Sequence, residues 1–191
     1  PETELKPDGR VEFTLPSRQR VGFSLRIASQ VTQDARAEEI MLANADAAGS
    51  IPWHLRDENT GQAISIDDYP DLFMDKRGGT TVLPDAFSTD GTGWTLDVAH
   101  MPSLTYLPYL LTGSQYYLEE MQAQSAYVMA ALLPKTRGDD QGLVVDESQI
   151  RAQAWALRDI ADAAYATPDA DAQKAYFTGK LANKLEAYME K

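Results

Sequence analysis

The chain has 191 residues, no cysteine and a formal net charge of −12 at pH 7. Its 43% hydrophobic and 24% charged residues are typical of a globular protein, and the length suits one well-buried domain. The acidity argues against nucleic acid and anionic membrane surfaces as partners, because both bind basic protein faces. Without cysteine, disulfides and thiolate metal sites are excluded, while the cellular compartment stays open. No metal or other cofactor is predicted.

Before residue 50 the sequence predicts two short strands and one helix. Apolar and polar residues alternate over Val11–Leu15 and Val21–Ile27, which predicts the two strands of a hairpin. Residues 1–9 are polar and Pro-rich and are expected to form an irregular lead-in. A helix is predicted over Ala35–Ala48, with Gly49 as the left-handed residue that ends it.

Residues Ser50–Asp97 are predicted to be irregular. Gly, Pro, Asp and Thr recur there, and no helical period is visible. So long a loop is unusual inside a compact domain and is often functional. It is equally typical of a segment that only packs over helix ends, and the sequence leaves both interpretations open.

Four helices are predicted after Ala99, and they form two consecutive helical hairpins. Gly113 ends the first and Pro134 the second, while Pro108 predicts a kink or a late start in the first. The helices span Ser103–Thr112, Gln115–Leu133, Glu147–Ala166 and a stretch from about Ala172 onward.

Helical spacing assigns a buried face to three of these helices. In the second helix the face comprises Leu118, Met121, Gln122, Ser125, Val128, Met129 and Leu132. In the third it comprises Ile150, Ala154, Leu157, Ala161 and Ala164, and in the fourth Phe177, Leu181, Leu185 and Tyr188. Such an array leaves an open edge, which we expect the remainder of a longer chain or a self-partner to cover.

Two segments combine a histidine with tryptophan, aspartate and other polar side chains. The first contains Trp53, His54, Arg56 and Asp57, and the second contains Trp94, Asp97, His100 and Tyr106. Aromatic faces can stack on a flat ligand, and histidine and carboxylate can transfer protons. Because both histidines of the chain have such neighbours, the sequence suggests one shared pocket.

Several of these residues also have a purely structural interpretation. Asp97 suits the N-cap of the following helix, and His100 suits a bond to a loop carbonyl. Trp53 after Ile51-Pro52 is typical of a core anchor, and Arg56 suits a local ion pair.

Two longer runs carry a family resemblance. They are DVAHMPSLTYLPYLLTGSQYYLEEMQAQSAYVM, which begins at Asp97, and RAQAWALRDIADAAYATPD, which begins at Arg151. Over about Asp34–Tyr188 the chain resembles the six-hairpin glycosidase-like superfamily of bacterial proteins. The resemblance implies an (α/α) toroid, of which a full copy has about twelve helices and this chain about half.

Together these observations predict a mainly α fold of helical hairpins, an incomplete (α/α)-toroid-like domain over residues 1–191 with a small β or irregular N-terminal part. The predicted function is carbohydrate binding of a glycoside hydrolase-like kind. Its catalytic residues would be Asp97 and His100, and its substrate-binding residues Trp53, His54, Arg56, Asp57, Trp94 and Tyr106. Glycoside hydrolysis normally needs a second carboxylate, for which Asp57, Glu58, Asp67, Asp68 and Asp90 are candidates. The alternative is a non-catalytic helical scaffold or interaction module within a larger protein.

Overall fold

The computed structural model of the chain describes residues 2–5, 11–14, 35–73, 98–143 and 150–190, and it is mainly helical, as predicted. Its strands are β1 (Glu2–Leu5) and β2 (Val11–Thr14), and its α-helices are α1 (Ala35–Asp46), α2 (Tyr106–Thr112), α3 (Gln115–Ala130), α4 (Ile150–Ala166) and α5 (Gln173–Met189). Short 3-10 turns span Ala47–Ser50, Val98–His100 and Pro134–Arg137.

The two strands form an antiparallel pair in which Glu2 lies opposite Thr14 and Leu5 opposite Val11. The strand predicted from Val11 is therefore confirmed, but the irregular lead-in is wrong, because β1 lies within it. The sequence of β1, Glu-Thr-Glu-Leu, has one apolar residue and hence no alternation from which to recognise it. The strand predicted over Val21–Ile27 lies outside the described residues.

Helix α1 confirms the first predicted helix, although its end differs from the prediction. The chain continues into the 3-10 turn Ala47–Ser50, and Gly49 does not adopt a positive φ. Its N–H instead donates to the Tyr116 hydroxyl at 2.9 Å, and a Cβ at this position would lie 2.6 Å from that oxygen. Glycine is therefore required here for close approach rather than for a left-handed turn.

Helix α2 begins at Tyr106, three residues after the predicted start. Pro108 then lies in the first turn, where a backbone N–H would have no helical partner, so the late start removes the need for a kink. Gly113 ends the helix as predicted, with φ 66° and its N–H bonded to the Tyr109 carbonyl at 2.7 Å.

Helix α3 is buried along almost its whole length, and all seven residues of its predicted face are buried. The side opposite that face is buried too, including Glu120 and Gln124. The helix ends at Ala130 rather than Leu133, since the chain turns before Pro134. Neighbours therefore cover α3 on all sides, and its polar side chains need partners inside the protein.

Helices α4 and α5 form an antiparallel pair, and α4 also contacts α2 and α3. At one end of the pair, the Tyr188 hydroxyl donates to Gln153 Oε1 at 3.1 Å. At the other end, Lys174 Nζ donates to the Ala164 carbonyl at 2.7 Å. Helices α2 and α3 are also in contact, so both predicted hairpins consist of neighbouring helices.

The predicted buried faces of α4 and α5 are largely wrong. The side chains that α4 buries are Ala152, Ala156, Asp159, Ile160, Ala163 and Ala164, and those of α5 are Gln173, Phe177, Lys180 and Lys184. Of the predicted residues only Ala164 and Phe177 are buried, whereas Ile150 is 77% exposed. The faces that actually pack contain an aspartate and two lysines, so hydrophobic periodicity does not identify them as the buried faces.

The finer architectural expectations, the toroid arrangement and the single domain over residues 1–191, stay predictions. Among the described helices, none is both long and apolar enough to cross a membrane.

Candidate functional site

Residues 51–73, the first part of the predicted irregular stretch, contain no helix and one isolated bridge, between Arg56 and Ala63. Contacts from distant elements nevertheless hold this segment along its length. Arg137 donates hydrogen bonds to the carbonyls of Pro70 and Leu72, and Gln173 donates to the Ala63 carbonyl. Lys180 binds the Asp67 carboxylate, and the Ile66 N–H donates to the Tyr176 hydroxyl. Residues 51–73 therefore pack over α3, α5 and the turn before Gly138. The rest of the predicted irregular stretch, residues 74–97, lies outside the described residues, so both interpretations of the stretch stay open.

Glu120 of α3 brings Trp53 and His54 together. Its carboxylate accepts a hydrogen bond from the Trp53 indole Nε1 at 3.2 Å. His54 Nε2 lies 2.7 Å from Oε1 and 2.6 Å from Oε2 of the same carboxylate. Glu120 is buried, whereas 28% of the His54 side chain is exposed. The result is a carboxylate–histidine pair at the edge of the core, a geometry that fixes the orientation of an imidazole ring.

Trp53 is a core residue in this arrangement. It is 3% exposed, so its ring face is not open for a sugar to stack upon. The sequence interpretation of Trp53 as a core anchor therefore fits the structure better than a stacking platform does. Glu120, which sequence reasoning missed, supplies the hydrogen-bond acceptor that a buried indole N–H needs.

Arg56 makes an ion pair, but its partner is distant in sequence. Its Nη2 lies 2.7 Å from Glu119 Oε2, and its Nη1 donates to the Gly61 carbonyl at 2.9 Å. About half of each charged side chain is exposed, so the pair stabilises the fold only weakly. Arg56 and His54 thus contact successive residues of α3, Glu119 and Glu120.

Asp57 organises a turn. Its Oδ1 accepts hydrogen bonds from the backbone N–H groups of Asn59 and Thr60, each at 2.9 Å, and its Oδ2 accepts one from the Tyr69 hydroxyl. These bonds, that from Tyr69 first, lower the pKa of Asp57, and the same bond raises the pKa of Tyr69. A carboxylate held in the ionised state by three donors is a poor general acid.

The residues that follow His100 bind α3 one helical turn after Glu120. Gln124 Nε2 donates to the carbonyls of Met101 and Pro102, at 3.4 and 3.0 Å. These two residues directly follow His100, which is exposed. Because Glu120 and Gln124 are four residues apart, their Cβ atoms lie about 6 Å apart on one side of the helix. The segments that carry His54 and His100 are thus anchored on neighbouring turns.

The remaining predicted site residues are Tyr106, Trp94 and Asp97. Tyr106 opens α2, and its ring meets that of Tyr165 of α4 edge-on, with the ring centres 6.4 Å apart. Trp94 and Asp97 lie outside the described residues, so the shared pocket stays a prediction.

Two tyrosines close to Glu120 in the sequence of α3 connect this helix to the end of α1. The Tyr117 hydroxyl donates to Asp46 Oδ1 at 2.6 Å, and the Tyr116 hydroxyl donates to the Asp46 carbonyl at 2.8 Å. Burial, followed by the bond to the Asp46 carboxylate, raises the pKa of Tyr117 to about 12. Burial also raises the pKa of Tyr116, to which the charge of Glu120 contributes. Both phenols are therefore neutral hydrogen-bond donors at pH 7.

A second polar cluster lies between α3, α4 and α5, where Asp159 and Lys184 are each 2% exposed. Gln124 Nε2 lies 3.3 Å from Asp159 Oδ2, but Asp159 Oδ1 and Lys184 Nζ make no hydrogen bond within the described chain. Burial raises the pKa of Asp159 well above its usual range and lowers the pKa of Lys184 from 10.5 to about 8. The sequence contained no signal for this cluster, because its members are far apart along the chain.

The described residues thus contain one histidine–carboxylate pair capable of proton transfer, with an arginine beside it. Most polar groups around that pair bind one another. Over the same part of the chain, no three His, Asp or Glu side chains are placed to hold a metal ion.

Comparisons of the chain with protein-family models, with curated proteins and with solved structures find no match.

Proposed function

We propose that this chain is a non-catalytic helical interaction module, which uses the outward surfaces of α4 and α5 to bind another protein chain. The observation that carries the proposal is the inverted polarity of α5. This helix buries two lysines and a glutamine, and it exposes uncharged residues to solvent.

On the inner side of α5 lie Gln173, Phe177, Lys180 and Lys184, which are at most 6% exposed. On the opposite side lie the exposed residues Ala175, Thr178, Gly179, Ala182, Leu185, Glu186 and Met189; we call these seven residues the outer face of α5. Six of the seven are uncharged in a protein of net charge −12. Solvent-facing helix sides are normally charged or polar, so this surface has the composition of a packing face.

Helix α4 also exposes apolar side chains to solvent. Ile150 and Tyr165 on α4 are 77% and 73% exposed, and Met189 on α5 is 87% exposed. Single exposed apolar residues are ordinary, but several on one pair of adjacent helices favour an interaction surface. Association would bury these side chains and stabilise a complex by about 25 cal/mol for each Å² of apolar area removed from water.

The candidate site supports a non-catalytic function as well. Trp53 and Glu120 are buried, Arg56 is bonded to Glu119 and Gly61, and Asp57 is bonded within its own turn. These side chains hold the 51–73 segment on the helices, so their presence has a structural explanation.

The proposal is tested by placing a photoreactive benzophenone amino acid at Leu185 in the cells that make the protein. Ile40 on α1 is the matched control position, since it is 42% exposed and Leu185 is 46% exposed. We expect covalent adducts with another chain from position 185 and none from position 40. If positions 150, 185 and 189 all give no adduct, the interaction module is the wrong function.

The second candidate function is carbohydrate binding, and the His54–Glu120 pair favours it. Glu120 holds Nε2, so Nδ1 of the partly exposed ring is the atom that would meet a sugar hydroxyl. Catalysis of glycoside hydrolysis would further need Asp97 and a second carboxylate across the scissile bond.

This second proposal predicts that the protein binds oligosaccharides, and that His54→Gln, His100→Ala and Asp97→Asn each weaken binding at least tenfold without loss of fold. Titration calorimetry with a glycan mixture, with circular dichroism as the fold control, measures this. A wild-type protein that binds no glycan, or variants that bind as wild type does, would exclude the carbohydrate function.

A further inference from the structure

Gly179 lies in the middle of α5, where no contact among the described residues requires a glycine. It is exposed, its φ is not positive, and an added Cβ would meet no atom of the described residues within 4 Å. Glycine is the least favourable residue after proline for a helix interior, and alanine would fit here freely. A glycine that neither a turn nor a contact with another described residue requires is explained when a further backbone or side chain approaches the helix closely.

The side chains on the outer face of α5 differ in size on the two sides of its central residue, Ala182. Its N-terminal half carries the smaller side chains Ala175, Thr178 and Gly179, and its C-terminal half carries the larger Leu185, Glu186 and Met189. If a second copy of the helix runs antiparallel across Ala182, residue 182 + n of one copy lies level with residue 182 − n of the other. Each large half then meets a small half: Met189 lies level with Ala175, Leu185 with Gly179, and Glu186 with Thr178.

We propose that the occupant of this face is a second copy of this chain, whose α5 packs antiparallel against the first α5 in a two-fold symmetric homodimer centred on Ala182. The inference rests on the proposed interaction function and names its partner. A two-fold interface must be self-complementary, and opposed small and large halves of one helix satisfy that condition. Small residues at the crossing let helix axes approach to about 8 Å.

The charges on this face permit the pairing. Glu186 is its one charged residue, and it lies four residues from the centre. At 1.5 Å per residue, the two copies of Glu186 are about 12 Å apart along the axis, beyond the screening length of about 8 Å at physiological salt. Each chain carries −12 overall, so the copies repel at long range and the dimer should strengthen as salt rises.

The test is the mass of the purified protein by sedimentation equilibrium over a range of concentrations and at two salt concentrations. We expect wild type to approach twice the chain mass of 21.1 kDa at high concentration. Ala182→Arg places two guanidinium groups against each other at the two-fold axis, and we expect it to raise the dimer Kd at least 100-fold. Ile40→Arg, which adds the same charge on α1, should leave the Kd unchanged within twofold.

Gly179→Ala supplies a readout that a merely structural glycine would not give. The monomer should become more stable, because alanine favours the helix, while the dimer Kd should rise about tenfold, because the added methyl group lies in the contact. Gly179→Leu should abolish dimerisation in the same assay, and circular dichroism verifies that the variants fold.

Each other outcome overturns the homodimer. A wild type that stays monomeric at millimolar concentration and high salt excludes it, and so does a dimer that Ala182→Arg leaves intact. The photo-crosslinking at Leu185 then separates the two proposals: an adduct with a different chain retains the interaction module with another partner, and no adduct removes both.

Discussion

Replacing the buried Lys184 by methionine should stabilise the protein at pH 7. Lys184 is 2% exposed, and its buried ammonium group has no hydrogen-bond acceptor among the described residues. Its pKa falls from 10.5 to about 8 because burial penalises the charged form. At 1.36 kcal/mol per pKa unit, this shift corresponds to about 3 kcal/mol of lost stability at pH 7, where the lysine is charged in both states. Methionine has a similar length and no charge to desolvate.

The stability gained by Lys184→Met should decrease as the pH rises. Between about pH 8 and pH 10.5 the unfolded chain keeps the Lys184 proton that the folded chain has lost. The unfolded state then binds more protons, so wild-type stability rises with pH in this window. The advantage of Lys184→Met should therefore be largest at pH 7 and nearly vanish at pH 10.5.

Urea denaturation of wild type and variant at several pH values measures the effect. Lys180→Met is the matched control: Lys180 lies one turn earlier on α5 and is 5% exposed, but it binds Asp67 and the Asp140 carbonyl. We expect this control to lose about 1–3 kcal/mol. If Lys184→Met is less stable than wild type at pH 7, the ammonium has a stabilising partner in the folded protein and the reasoning fails.

Four other substitutions test the contacts and the backbone conformations of the fold. Glu120→Ala should cost about 1–3 kcal/mol and change the intrinsic fluorescence, because it leaves the buried Trp53 N–H without its acceptor; unchanged stability and fluorescence would contradict this. Arg137→Met should cost about 3–5 kcal/mol in denaturation, since the fully buried guanidinium serves four carbonyls, and a loss below about 1 kcal/mol would refute that role. Gly113→Ala should destabilise by about 1 kcal/mol and Gly179→Ala stabilise by about as much, in a concentration range where the protein is monomeric. Neither position has an atom near the added Cβ and only Gly113 has a positive φ, so melting shifts of equal sign would contradict the argument.

The helices could be located from the sequence because their signals are local. Gly113, Pro108 and Pro134 mark ends or starts of helices through their own backbone geometry, and the structure agrees with them. The buried face of α3 was also predictable, because neighbours cover the helix on every side and any apolar set would have been buried.

The buried faces of α4 and α5 could not be predicted in the same way. Their packing sides include Asp159 and Lys180, which bind Gln124 and Asp67, each more than 20 residues away. They also include Lys184, whose ammonium group has no hydrogen-bond partner among the described residues. The candidate site has the same limitation. His54 and Arg56 were recognisable as polar residues, but nothing local distinguishes Glu120, on which the pair depends, from Glu119 beside it.

The way residues 51–73 are held has a consequence during protein synthesis. Every long-range anchor described for this segment comes later in the chain, from Glu119 and Glu120 to Arg137, Gln173, Tyr176 and Lys180. At about 5–20 residues per second, a ribosome needs roughly 5–20 s to pass from Phe73 to Lys180. During that interval Trp53, Ile66 and Leu72, which are buried in the finished protein, have been made before their partners exist. Until those partners are made, these apolar side chains are accessible to chaperones and proteases.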